Sequence, residues 1–529
     1  MSLHLTAVGL ALGDRSLFDD VHLTLAPGER VALVGDNGAG KTSLLRVALG
    51  ALEPTAGAVR LHGSAALLAQ LDGAATAPTN PTPTTLLRRV LDERPEPHPG
   101  TFDAALRGAG LDPFAPADAL SGGERQRARL AALLAAPADV LCLDEPTNHL
   151  DAAGIAWLVE RLRSCRAALL VVDHDRAFLD AIAERTAFLA HGALRVYPGG
   201  YTTAAAARAA DEHAQRRRHD AQAARHRALR VAADRQRSLT RSAGSFDHRK
   251  AGGQATILAK NKAEAVSRTH ARASAAMRTR LEREAPEPKP FEDRRRLRLH
   301  AGAADPGPSE VLVVRALDVV RAGRTLVAGL ELIVRRGERL AIHGPNGSGK
   351  TTLLEVLTGQ RTAAAGSVRR GLGLTLSYVA QADRVPASTG FDDAVDDAVD
   401  ASTDASSGAS SEASVGERLR AERPTLSDSE VWEVMAAVGA PCGPERRIAT
   451  LSGGERQRLE LARIAVTPAH ALVLDEPTLH LDVRAIEALE ALLRDYAGTV
   501  LLVSHDAALV DAVATRRLTL DGDGGWALV

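Results

Sequence analysis

Two stretches of the chain share a pattern that leaves little freedom of fold. Val31-Ala-Leu-Val34 runs into Gly35-Asp-Asn-Gly-Ala-Gly-Lys-Thr42, and Leu340-Ala-Ile-His343 runs into Gly344-Pro-Asn-Gly-Ser-Gly-Lys-Thr351. An apolar strand followed by G-x-x-x-x-G-K-T is a phosphate loop. Its glycines let backbone N–H groups curl around an anion, the next helix aims its positive end at the same point, and the lysine adds a full charge. The candidate nucleotide-binding residues are Gly35, Asp36, Asn37, Gly38, Ala39, Gly40, Lys41, Thr42 and Ser43 in the first copy. In the second they are Gly344, Pro345, Asn346, Gly347, Ser348, Gly349, Lys350, Thr351 and Thr352. Thr42 and Thr351 are left to hold Mg²⁺.

The duplication extends further. Leu120-Ser-Gly-Gly-Glu-Arg-Gln-Arg127 recurs at 451–458, Leu143-Asp-Glu-Pro-Thr147 at 474–478, and Val172-Asp-His-Asp175 as Val503-Ser-His-Asp506. Four landmarks in one order, twice, predict two homologous domains. Val140-Leu-Cys-Leu-Asp144-Glu145 is an apolar strand ending in two acids, which a core would not choose without a use for them. Asp144 can hold Mg²⁺ through water and Glu145 can polarise the water that attacks a γ-phosphate; Asp475 and Glu476 repeat the pair. Two further short apolar strands end in Gln70 and Gln381.

Phosphate loop, glutamine, L-S-G-G-E, L-D-E-P-T and a late histidine together resemble the nucleotide-binding domain of ABC ATPases, over roughly four-fifths of the chain. The resemblance implies α/β domains that bind ATP with Mg²⁺. It places Gln70 and Gln381 on the metal and the attacking water, makes His174 and His505 sensors of the γ-phosphate, and sets the Ser-Gly-Gly turns against the γ-phosphate of the opposite domain. Head-to-tail closure would then pair Lys41, Thr42, Gln70, Asp144, Glu145 and His174 with Ser452, Gly453 and Gly454. Lys350, Thr351, Gln381, Asp475, Glu476 and His505 would pair with Ser121, Gly122 and Gly123.

Two positions depart from that pattern. Where many ABC domains carry an aromatic ring to stack on adenine, the first copy offers Leu12 or Phe18 and the second Ala322 or Val327. Asn148 in the first copy is replaced by Leu479 in the second, which predicts some inequality between the sites.

The expected boundaries are an ATPase domain at 1–200, a linker at 201–308 and a second ATPase domain at 309–529, with a disordered acidic insertion at about 392–414 rich in Asp, Ala and Ser. Residues 204–236 and 256–283 read as the arms of a polar helical hairpin, with Phe246, Arg241, Arg249 and Lys250 at the turn. Formal net charge is −1 overall, yet residues 202–300 hold 24 Lys and Arg against 11 Asp and Glu. The ATPase domains are therefore net acidic, and the arginine-rich hairpin suits nucleic-acid phosphates and bases. Its plainer reading is a stiff soluble spacer.

Three scattered cysteines, Cys142, Cys165 and Cys442, make no disulfide framework or metal motif, which favours a cytosolic chain. No apolar run approaches the ~20 residues of a membrane helix. Twin domains, the Leu143-Asp-Glu-Pro-Thr-Asn-His-Leu-Asp151 run and a charged linker entered through Tyr197-Pro-Gly-Gly-Tyr201 resemble the ABC-F family. That resemblance implies a cytoplasmic, ribosome-associated, monomeric ATPase whose linker contacts large-subunit rRNA and tRNA. Within the family, the long linker and the lack of a basic extension after Trp526 resemble the antibiotic-resistance members that protect the ribosome. The competing readings are a general translation factor of the same family, the ATP-binding subunit of a drug exporter with a separate membrane protein, and a DNA-associated ATPase.

Overall fold

The computed structural model describes residues 2–13, 15–68, 100–117, 120–244, 254–283, 307–379, 413–440, 442–451, 453–479 and 481–529. By its internal packing the chain forms two compact units, Met1–Ala204 with Arg295–Val529, and Ala205–Arg294.

The larger unit contains the same architecture twice. In the first copy β1 (Leu3–Leu12), β2 (Arg15–Leu25), β3 (Arg30–Gly35), β4 (Ala56–Leu61), β5 (Ala65–Leu68), β6 (Val140–Asp144), β7 (Ala168–Val172), β8 (Arg185–Ala190) and β9 (Ala193–Pro198) form two sheets. Their orders are β2-β1-β4 and β5-β6-β7-β3-β8-β9. The first sheet is antiparallel; in the second only β9 runs against its neighbour. Strands β6 and β7 are buried on both faces, as their uninterrupted apolar sequences require of central parallel strands. A fully buried Leu or Val side chain on them stabilises the fold by about 1.5–3 kcal/mol.

The second copy repeats this with β10 (Glu310–Arg321), β11 (Arg324–Arg335), β12 (Arg339–His343), β13 (Ala365–Arg370), β14 (Leu376–Val379), β15 (Ala471–Asp475), β16 (Thr499–Val503), β17 (Arg516–Leu520) and β18 (Trp526–Leu528). The orders are β11-β10-β13 and β14-β15-β16-β12-β17-β18, matching the first copy strand for strand. In each, the phosphate loop leaves the carboxyl end of a central strand, the histidine leaves the same edge from the adjacent strand, and the acidic pair leaves it from the strand beyond. That edge is where open α/β sheets bind ligands.

The smaller unit is helical. Helices Tyr201–Gly244 and Gln254–Arg283 bring Thr240 to Ser267, Gln236 to His270 and Ala233 to Ser274, so they run antiparallel. Where the arms of this polar hairpin meet, Ala233 and Ser274 are buried, with Ser274 Oγ donating to the Ala233 carbonyl at 3.1 Å. Small residues let the backbones approach, and a hydroxyl bonded to a carbonyl leaves no unsatisfied group. The first arm is also longer than expected at both ends, 201–244 rather than 204–236. The tip residues Phe246, Arg249 and Lys250 lie outside the described residues.

The acidic insertion was expected to reach residue 414. Instead Ser414 caps the helix Val415–Glu422 in a reciprocal capping box with Glu417; residues 392–412 lie outside the described residues.

Candidate active site

Each phosphate loop ends in a glycine with φ 97°, Gly40 and Gly349, which caps the helices Lys41–Ala48 and Lys350–Thr358 in a left-handed conformation that an L side chain resists. The loop lysines are folded over their own turns. Lys41 Nζ donates to the carbonyls of Gly35 (2.8 Å) and Asp36 (3.1 Å); Lys350 Nζ donates to those of Gly344 (2.8 Å) and Pro345 (3.1 Å). Burial lowers the pKa of both ammoniums, with the acidic residues around them pulling the other way.

At the ends of β6 and β15 the acidic pairs sit beside the lysines. Asp144 accepts a hydrogen bond from the Thr42 hydroxyl, its Oδ2 is buried with no hydrogen-bond partner, and burial together with the Glu145 charge raises its pKa. A hydroxyl beside an orphaned carboxylate oxygen is a hard-oxygen donor set suited to Mg²⁺. Among the described residues no cluster of three His, Cys, Asp or Glu could hold a metal without other donors. The next residues, Glu145 and Glu476, both occupy the left-handed region (φ 50° and 49°), a strained conformation that turns the carboxylate off the strand line.

The two glutamates differ in surroundings. Glu145 lies 3.6 Å from His174 Nε2, a charge contact too long for a hydrogen bond, and accepts from Asn148 Nδ2 at 2.6 Å. Burial pushes its carboxyl up, but His174, Asn148 and Lys41 outweigh burial and leave the pKa below the ordinary value. Glu476 accepts the His505 backbone N–H at 3.2 Å and lies 3.3 Å from His505 Nε2. Burial, only partly opposed by Lys350, pushes its pKa up to about 7, and His505 is pushed down to about 4 by burial and Lys350.

The signature residues start the helix Gly122–Ala135, where Ser121 and Glu124 form a capping box. Gly123 packs against the second domain's phosphate loop: a Cβ there would lie 2.9 Å from Asn346 Nδ2 and 2.6 Å from the His149 carbonyl. Asn346 Nδ2 donates to that carbonyl at 2.9 Å, and Asn346 N donates to Asp151 Oδ2 at 3.2 Å. The reciprocal contact joins Asn37 N to Asp482 Oδ2 at 3.0 Å, next to an Arg484–Asp36 ion pair at 3.2 Å. The other oxygens of Asp151 and Asp482 cap their own helices, accepting from Gly154 N and Ala485 N, each at 2.9 Å. The domains thus meet head to tail. A cleft of about 780 Å³ between them is lined by Ser121, Gly122 and Gly123 on one side and Lys350, Thr351, Asp475 and Glu476 on the other.

Gln70, Gln381 and Ser452 lie outside the described residues; Gly453 and Gly454 begin the helix Gly453–Val466. Of the candidate base platforms, Phe18 and Val327 are wholly buried in the core, since their strands alternate sides and these residues point inward. Leu12 stands 52% exposed, and Ala322 lines the cleft beside Arg321, Arg324 and Leu326. Sequence alone assigns no role to Asp151, which lies in the quoted Leu143–Asp151 run, or to Asp482 at the matching place in the second copy; their reach across the interface depends on domain pairing.

The ABC transporter family model matches residues 18–148 and 327–479. The chain is 34% identical to the ATP-binding protein Uup of Caulobacter vibrioides, covering 99% of this chain and 78% of Uup. It is 32% identical to the tylosin resistance ATP-binding protein TlrC of Streptomyces fradiae (98% and 97% covered). Identity is 31% to the energy-dependent translational throttle protein EttA of Mycobacterium tuberculosis (97% and 90%). Among solved structures, the complex of archaeal ribosomal stalk protein aP1 with ribosome recycling factor aABCE1 contains a chain of the same fold. It has a TM-score of 0.64 and 19% identity, over 99% of this chain and 89% of that one.

Fold and site define a tandem ABC-type ATPase with both nucleotide-binding domains on one polypeptide. Among the described residues no helix is long and apolar enough to cross a membrane. The chain belongs to the ABC-F family.

Proposed function

We propose that the protein is a cytoplasmic ATPase that acts on the ribosome, in the manner of antibiotic-resistance members that protect it. The observation that carries this is the pairing of cross-domain nucleotide sites with an arginine-rich helical hairpin on the same chain. Asn346 bonds to Asp151 and His149, and Asn37 to Asp482, which supports a nucleotide in either loop lying against both domains. Binding energy then favours closure, and loss of the γ-phosphate favours opening.

In the first site Lys41 and the loop amides would hold the phosphates, and Glu145, ionised at neutral pH, would take the proton of the attacking water while His174 faces the γ-phosphate. Lys350, Glu476 and His505 would take the corresponding places in the second. Mg²⁺ would be held by Thr42, Gln70 and Asp144, and by Thr351, Gln381 and Asp475, and when bound would supply positive charge against the phosphate oxygens. The hairpin's positive charge would contact large-subunit rRNA, and tRNA where it lies within reach. Resemblance to TlrC, a resistance protein by name, along 97% of its length supports the protective role. The similarity to EttA supports the second reading, a translation factor without a resistance role.

The test is the Glu145→Gln, Glu476→Gln double variant, loaded with ATP and run on a sucrose gradient with ribosomes. Tight ATP binding, lost turnover and co-sedimentation are expected. A variant that sediments free of ribosomes at moderate salt overturns the ribosomal reading. Co-purification with a membrane protein would instead favour an exporter subunit, and DNA-stimulated turnover a DNA-associated ATPase.

A further inference from the structure

Around the reacting carboxylates the described parts of the two sites differ at Asn148, replaced by Leu479, and at Asp173, replaced by Ser504. Asn148, three residues after Glu145, donates its side-chain amide to Glu145 Oε2 at 2.6 Å. The left-handed backbone at Glu145 makes this contact possible, because it curls the 145–148 turn back on itself, with Asn148 N bonded to the Glu145 carbonyl at 3.3 Å. The second domain forms the same turn, Glu476 at φ 49° and Leu479 N bonded to the Glu476 carbonyl at 3.4 Å, but Leu479 has no amide to offer. Glu476 Oε2 accepts the His505 backbone N–H at 3.2 Å, and Oε1 is buried with no hydrogen-bond partner.

We propose that Asn148 is a positioning residue that fixes the Glu145 carboxylate for water activation, and that Leu479 makes the second site the slower of the two. This rests on the reading of Glu145 and Glu476 as the residues that polarise water. A carboxylate held by a short side-chain amide hydrogen bond keeps one rotamer and aims its other oxygen at the water. A carboxylate without that donor samples more orientations. His174 Nε2 and His505 Nε2 lie 3.6 and 3.3 Å from their own site's carboxylate, and Lys41 and Lys350 face them too, so exchanges at 148 and 479 made within one site separate the amide from those neighbours. The protein would hydrolyse one nucleotide readily and retain the other, remaining closed through the first event.

Single-turnover hydrolysis measures each site separately: Glu476→Gln isolates the first and Glu145→Gln the second. With Glu476→Gln, adding Asn148→Leu is expected to lower the hydrolysis rate about tenfold or more while the ATP concentration for half-saturation stays within about twofold. Asn148→Asp has the same shape but no donor and should lose as much, which separates donation from packing. With Glu145→Gln, adding Leu479→Asn should raise the rate several-fold. Unchanged rates in Asn148→Leu, or full activity in Asn148→Asp, overturn the proposal. Turnover persisting in the double Glu→Gln variant would instead refute the underlying assignment of the glutamates, so the two failures are distinguishable.

Discussion

The hydroxyl of Tyr201, the first residue of the long linker helix, donates to Glu487 Oε1 of the second ATPase domain at 2.9 Å. Tyr201 and Tyr197 also bracket Phe188, with ring centroids 6.1 and 6.0 Å away. On the first domain, Thr202 N donates to Asp180 Oδ1 at 2.8 Å. Gly200 is needed there, since a Cβ would lie 2.6 Å from the same carboxylate oxygen. The linker helix therefore starts on a turn bonded to both ATPase domains. Tyr201→Phe should remove about 1–2 kcal/mol of that connection. Basal ATP hydrolysis is expected within twofold of the parent, and its stimulation by ribosomes reduced several-fold, read in a coupled ATPase assay with and without ribosomes.

A second link lies close by. Arg176 donates to Glu490 across the domains at 2.8 Å, with both side chains largely buried, and Arg494 holds the other carboxylate oxygen at 2.6 Å. Breaking a buried pair by deleting one partner costs about 3–5 kcal/mol. Arg494 stays on Glu490, so Arg176→Ala belongs at the low end. Thermal melting should show a drop of several degrees, larger than for Arg494→Ala, whose side chain is half exposed.

Asp173 gives the fold a pH dependence. It is fully buried, and burial together with the nearby Asp175 pushes its pKa up to about 7 despite hydrogen bonds from Thr147 and backbone amides. A carboxyl whose folded pKa lies above its unfolded value favours folding at low pH and loses that contribution as pH rises from about 4 to about 7. The second domain has Ser504 at the equivalent position, also bonded to the following turn. Asp173→Ser should lessen the fall in urea stability between pH 5 and pH 8, on the order of 2 kcal/mol. An identical fall in both proteins would contradict the assignment.

Arg216, Arg217 and Arg218 lie together on the first hairpin arm. Replacing all three by Ala should weaken ribosome association and flatten its salt dependence by up to about 2.7 in the slope of log K against log salt, given roughly 0.7–0.9 per phosphate contact. Pelleting across a salt series reads both quantities; a weaker complex with an unchanged slope would point to contacts other than phosphate.

Much of the site was legible because its parts are local. A phosphate loop, an acidic pair at a strand end and a Ser-Gly-Gly cap each declare their chemistry within a few residues, and duplication removed chance as an explanation. What the residues did not declare depends on distant partners. Tyr201 and Glu487 are far apart in sequence, as are Arg176 and Glu490, and nothing in either segment names the other. Asn148 was visible as a difference from Leu479, but its bond to Glu145 needed the left-handed turn between them. Phe18 was offered as a base platform because aromatic character is visible in sequence and strand facing is not. Ala233 and Ser274 bury the hairpin seam with side chains too small to give a hydrophobic signal.

The two-oxygen arrangement at Asp151 and Asp482 bears on how such a machine can cycle without wear. Each carboxylate keeps one oxygen at home on its own helix and lends the other to the neighbouring loop. Parting the domains releases the borrowed contact and leaves the helix start intact, so no segment must melt and refold at each stroke. The latch and the scaffold are the same side chain, and only half of it lets go.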